Sequence, residues 1–145
     1  MILSHDLSRQ VRINVYPASG TTGVQETTVL DMADFENVLF IAAATVTSTA
    51  QQLTMNMGTA STTGAGNFSE AIGDSSHVST GGLYLDVHRP TKRFVQGRFT
   101  SSGASSPARA VMAIRYGARS VPTTQDASGA TGTQLYSPGS GTATG

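Results

Sequence analysis

Leu30-Asp31-Met32-Ala33-Asp34-Phe35-Glu36-Asn37-Val38-Leu39-Phe40-Ile41-Ala42-Ala43-Ala44-Thr45-Val46 decides the fold. A short polar turn leads into the longest apolar run of the chain, Val38 to Ala44. On a strand, Val38, Phe40, Ala42, Ala44 and Val46 share one face; Leu39, Ile41, Ala43 and Thr45 share the other. Both faces are apolar or small, the pattern of a strand covered on both sides. A buried helix is the competing reading, kept alive by the three alanines. The β-branched and aromatic residues favour the strand. The stretch is therefore read as the central strand of a β-sandwich.

Working outward, Val11-Arg12-Ile13-Asn14-Val15-Tyr16 alternates, and Val11, Ile13 and Val15 are expected to point inward. Pro17 to Gly23 is a loop. Val24 to Leu30 forms a second strand, and Asp31 to Asn37 turns the chain into the central one. Leu53, Met55 and Met57 alternate with Thr54 and Asn56 in another strand. After the Gly/Ser/Thr loop from Gly58 to Gly66, Phe68 and Ile72 mark a short further element. Leu83 to His88 is a strand ended by the Arg89-Pro90-Thr91-Lys92 turn. Arg93 to Thr100 and Ala108 to Tyr116 close the sheet around a loop from Ser101 to Pro107. Phe40, Leu85 and Ile114 are expected in the core. Seven or eight short strands and no amphipathic helix give an all-β chain, an antiparallel β-sandwich of jelly-roll-like form.

The 145 residues make one domain. Residues 1–10 read as an N-terminal arm, 11–121 as the sandwich, and 122–145 as a Ser/Thr/Gly-rich C-terminal arm. That last arm has one apolar pair, Leu135-Tyr136, too little to fold alone. It reads either as a disordered end or as an arm on a neighbouring subunit, and the expectation is that it lies along another chain, anchored by Leu135 and Tyr136.

Charged residues are 12% of the chain, half the usual ~25%, and the net charge is zero. That argues against general nucleic-acid or membrane-surface binding, which calls for a strongly basic balance. So few charges protect a free monomer poorly against association, whereas a subunit buried in an assembly needs no such protection. There is no cysteine, hence no disulfide framework or thiolate chemistry. The N-terminus shows no basic and apolar leader pattern, so synthesis in a cytoplasm is expected.

Reactive constellations are sparse. His5, His77 and His88 stand in no metal-ligand spacing. Asp86 and His88 share a strand face, read as solvated rather than metal-binding. Asp74-Ser75-Ser76-His77 packs Asp, Ser and His into one loop, where a triad needs a rigid scaffold. No Gly-Lys-Ser/Thr phosphate cradle and no Gly-x-Ser-x-Gly elbow occur. Asn67-Phe68-Ser69 matches a glycosylation sequon by chance. No enzymatic activity, cofactor, metal or small-molecule ligand is expected. The one cationic cluster is Arg89, Lys92, Arg93 and Arg98. It reads either as a polar hairpin end or as an interface anchor, since Arg is enriched at protein contacts. Arg93 is expected to be held by a carboxylate or by carbonyls, and Arg89 or Lys92 to reach a partner chain. Arg12, Arg98 and Arg115 sit in apolar strands and each needs a partner if covered.

Two of these segments, Leu30 to Phe40 and Leu85-Asp86-Val87-His88-Arg89-Pro90-Thr91-Lys92-Arg93-Phe94-Val95, resemble a family of small tailed-bacteriophage virion proteins. The first matches as an aspartate and a Phe-Glu turn feeding an apolar strand. The second matches as a strand, a short turn and Lys-Arg-aromatic-Val. The resemblance spans roughly residues 24–121. The loop after Met57 departs from it, lacking the Trp or charged residues often found there. The resemblance implies a virion structural role, foremost a capsid decoration or cement protein on the shell exterior. Its partners would be the major capsid protein and further copies of itself, a trimer being the first choice. A head–tail connector or tail adaptor is the alternative, followed by a carbohydrate-binding β-sandwich module of a fibre.

Overall fold

The computed structural model describes residues 10–17, 23–43, 51–61, 68–73 (backbone), 82–101 and 110–119. They form nine strands: β1 (Arg12–Tyr16), β2 (Val24–Glu26), β3 (Leu30–Asp31), β4 (Phe35–Ala42), β5 (Gln51–Gly58), β6 (Phe68–Gly73), β7 (Leu83–His88), β8 (Phe94–Ser101) and β9 (Val111–Ala118). No helix occurs among the described residues. The chain is a two-sheet antiparallel β-sandwich.

One sheet has the order β1-β9-β4-β7, the other β2-β8-β5-β6, with β3 also on β8. β2 and β3 are two pieces of one interrupted edge strand. Thr27, between them, keeps the ladder going: its N–H donates to the Gly97 carbonyl at 2.9 Å. Its hydroxyl accepts from the Gly97 N–H at 3.0 Å, and its carbonyl accepts from Gln96 Nε2 at 2.9 Å. With β2 and β3 taken together, the pairing is nested: β1 with β9, β2/β3 with β8, β4 with β7, β5 with β6. The chain is one long hairpin, rolled so that β9 also pairs β4 and β8 also pairs β5. That connectivity is a jelly roll.

Between the sheets lie Val38, Phe40 and Ala42 of β4, Leu53, Met55 and Met57 of β5, Val95 and Phe99 of β8, and Val111 and Ala113 of β9, all buried. The Phe40 ring packs on Gly97 of the facing sheet, where a Cβ would lie 2.5 Å from the ring. Gly97 is the gap that admits the core's central aromatic.

Three expectations are corrected. Val11 is buried as expected, but within β1 the phase is the other one: Asn14 is buried and Tyr16 packs on the core, while Val15 is exposed. β4 is covered on one face only, since Ile41 is exposed and Leu39 half-buried. Ile114 accordingly sits half-buried on the outer face, and Leu85 only partly enters the core. Asn14 goes inward because buried Arg115 needs an acceptor: Arg115 Nη2 donates to Asn14 Oδ1 at 2.8 Å. The arms, with Leu135 and Tyr136, and the Asp74 to His77 loop lie outside the described residues.

Candidate interaction surfaces

The outer face of the β1-β9-β4-β7 sheet follows from its register. Val15 pairs Met112, Met112 pairs Ile41, and Ile41 pairs Tyr84, one row across all four strands. The next row is Ile13, Ile114, Leu39 and Asp86. Seven of these eight are apolar or aromatic. Val15 is 42% exposed, Ile41 37% and Tyr84 72%. A sheet face with one side on the core ordinarily turns polar residues to water. Here the polar groups are confined to one side of the face. The Tyr116 hydroxyl donates to Asp86 Oδ1 at 2.6 Å, spanning from β9 to β7 across β4. His88 stands beside both, its ring edge-on to Tyr116 with centroids 6.1 Å apart and Nε2 3.5 Å from Asp86 Oδ2. Burial first, then the hydrogen bond and the Asp86 charge, push the Tyr116 hydroxyl up to about 12. Asp86 and His88 thus belong to a surface polar network, and no group of three potential metal ligands occurs among the described residues.

The second surface is the end of the sandwich where the β3–β4 turn meets the β7–β8 turn. Asp31 organises it. Its carboxylate accepts a fork from Arg93, Nε to Oδ1 at 2.9 Å and Nη2 to Oδ2 at 2.7 Å. Oδ1 also accepts the Ala33 N–H at 2.9 Å, closing an Asx-turn. The Asp31 carbonyl accepts Arg115 Nη1 at 3.0 Å. The Arg93 hydrogen bond, helped by the Ala33 N–H, holds the Asp31 carboxyl below its usual range, against a smaller opposing push from burial. Arg93 therefore has the carboxylate partner its sequence context called for. The guanidiniums of Arg12 and Arg115 lie over the Phe35 ring at 5.2 and 5.5 Å. Arg98 faces Glu26 across the β2–β8 ladder at 3.5 Å, away from this end.

Backbone bonds lock the two turns together. Met32 N–H donates to the Arg93 carbonyl at 2.9 Å, Arg89 N–H to Glu36 at 2.8 Å, and Arg119 N–H to Asp34 at 3.0 Å. Between them opens a cleft of about 490 Å³, lined by Met32, Phe35 and Pro90 among apolar groups and by Arg89, Lys92, Arg93 and Arg119 among cations. Glu36 is the one acid in the lining, 4.0 Å from Arg89. Arg89 has φ of 51°, the left-handed region that a long side chain rarely adopts. The turn holds that strain through the Arg89 N–H bond and so presents the guanidinium at the rim, 81% exposed. The sequence flagged Arg89, Lys92 and Arg93 but missed Arg119, which follows the last strand and reaches the cluster only through the fold.

Comparison with protein-family models, with curated proteins and with solved structures returned no match for this chain.

Proposed function

We infer that the protein is a structural component of an assembly, and that the assembly is a tailed-bacteriophage virion in which it decorates the capsid exterior. The observation that carries the assembly reading is the outer face of the β1-β9-β4-β7 sheet. Its centre is aliphatic and aromatic, its one charged group in those rows, Asp86, is already hydrogen-bonded, and Ile41 and Tyr84 stand in water. Depletion of charge at the centre with polar groups at the border is how a protein interface core is composed. A second copy of the chain fits this face best, because an uncharged apolar surface is complementary to itself. Jelly rolls recur in capsid proteins, which agrees with the virion reading as an analogy of fold. The family resemblance of Leu30 to Phe40 and Leu85 to Val95 supplies the rest. Bridging contacts available only in the closed shell would stabilise it by mass action. A sugar-binding role fits less well, since the cross-strand neighbour of the exposed Tyr84 ring is aliphatic Ile41.

The test is a density map of the virion whose genome encodes the chain. The expected result is many copies spread over the shell, contacting the major capsid protein. A single ring at the neck would make it a connector, and absence from the particle would overturn the reading.

A further inference from the structure

We propose that the cleft between the β3–β4 and β7–β8 turns is a docking site for an acidic peptide segment of a partner protein, one apolar side chain flanked by carboxylates. This goes beyond the assembly reading, which uses the opposite kind of surface, and holds whatever particle the protein joins.

The chemistry of the lining selects the occupant. Met32, Phe35 and Pro90 are among the lining residues and offer apolar contact for one side chain. Four cationic residues surround it against one acid, Glu36. Arg93 is turned toward Asp31 by its two-bonded fork, so it serves as a fixed post of the wall. Arg89 is different: its contact with Glu36 is 4.0 Å long and its side chain is in water. An incoming carboxylate can take a shorter, two-bonded geometry there than Glu36 does. Lys92 and Arg119 supply further cations for a second carboxylate.

Counting Asp31 and Asp34 behind the rim, and Arg12 and Arg115 over Phe35, this end carries six cations and three acids, an excess of three. That balance suits a short segment bearing a few carboxylates. It does not suit a nucleic acid, whose closely spaced phosphates would meet Asp34 and Glu36 as well as the cations. A cleft of about 490 Å³ lies in the range of formed ligand sites and has room for a few residues of peptide. The walls are prepared for it: three backbone bonds and the Asp31 fork fix both turns before anything binds.

The experiment is fluorescence anisotropy of the full chain with labelled peptide Glu-Glu-Leu-Glu-Glu. Saturable binding is expected, weakened as salt is raised. Arg89→Gly is the decisive variant, since glycine accepts the positive φ without strain while the side chain with its guanidinium is removed. It should lower affinity about tenfold, the loss of one charge-assisted contact, while melting no lower than the parent. Arg119→Glu, after the last strand, should do the same, so the result does not hang on one variant. The peptide Glu-Glu-Gly-Glu-Glu should bind more weakly, because the apolar part of the lining gains no side chain. The proposal is overturned if the leucine peptide does not bind, if neither variant weakens it, or if Lys-Lys-Leu-Lys-Lys or a single-stranded oligonucleotide of equal length binds as well.

Discussion

At the scale of single residues, the core turns on one pair. Phe40 was legible, an aromatic in the middle of the apolar run. Its counterpart Gly97 was not, because nothing local tells a strand glycine that a ring from another sheet will lie on it. Phe40→Ala should cost about 3–5 kcal/mol if the site cannot collapse. Gly97→Ala should cost about 1–3 kcal/mol by overpacking, since its Cβ would fall 2.5 Å from the ring. The two sites touch, so the penalties should not add: in a Phe40→Leu background, Gly97→Ala should cost less than in the parent. Urea unfolding of the four proteins measures this, and equal penalties in both backgrounds would show that the ring is not what Gly97 accommodates. Asp31 makes a second prediction. Its carboxyl is held below the ordinary value near 3.8 chiefly by Arg93, so it contributes stability above that pH and loses it as pH falls through the lower folded value. Asp31→Asn should therefore melt below the parent at neutral pH, with the gap closing on acidification below about pH 4. A gap that stays constant down to low pH would mean the Arg93 fork contributes nothing through charge.

At the scale of elements, periodicity located the strands but could not always choose their phase. A period of two has two solutions, and although Val11 is buried as expected, Ile13 and Val15 in β1 invited the wrong one. Asn14 is buried instead because β9 places Arg115 beside it and the guanidinium needs the amide oxygen. The strand break between β2 and β3 was hidden for the same kind of reason: Thr27 is an ordinary strand residue until Gln96 and Gly97 claim its polar groups. The edge of the outer face behaves as a unit spanning three strands, β9 to β7 over β4, joined by the Tyr116–Asp86 bond. Tyr116 titrates near 12 when folded against about 10 when unfolded. A raised folded value means its contribution is complete below pH 10 and is lost as pH rises through 12. Tyr116→Phe should thus melt slightly below the parent at neutral pH and approach it in that alkaline window. The group is largely solvated, so the effect should be small. Spectrophotometric titration of the phenolic absorbance in parent and variant identifies the late-ionising tyrosine directly.

At the scale of the whole molecule, the jelly roll was legible as a class and the pairing was not. Nested partners such as β1 and β9 are a hundred residues apart in the chain, and no local pattern records which distant strand closes which. The cleft was half legible on the same grounds: Arg89, Lys92 and Arg93 are sequence neighbours, while Met32, Phe35 and Arg119 join them only through the fold. The reading of β4 as covered on both faces carries the most consequence. The domain's own residues bury Val38, Phe40 and Ala42 but leave Ile41 in water beside Tyr84. A composition suited to two-sided burial, realised on one side, is accounted for if another copy supplies the second cover. The chain should then sediment as an oligomer at micromolar concentration. Ile41→Glu places a charge at the centre of the face, where leaving it buried and unpaired is costly, while the core side of β4 is untouched. The variant should sediment as a monomer and melt with the same cooperative transition apart from the stability that association contributed. Asp86→Asn, at the border, should leave the oligomer intact. If the parent is monomeric at all concentrations, or if Ile41→Glu assembles as the parent does, this face is not the contact and the second cover must be sought elsewhere.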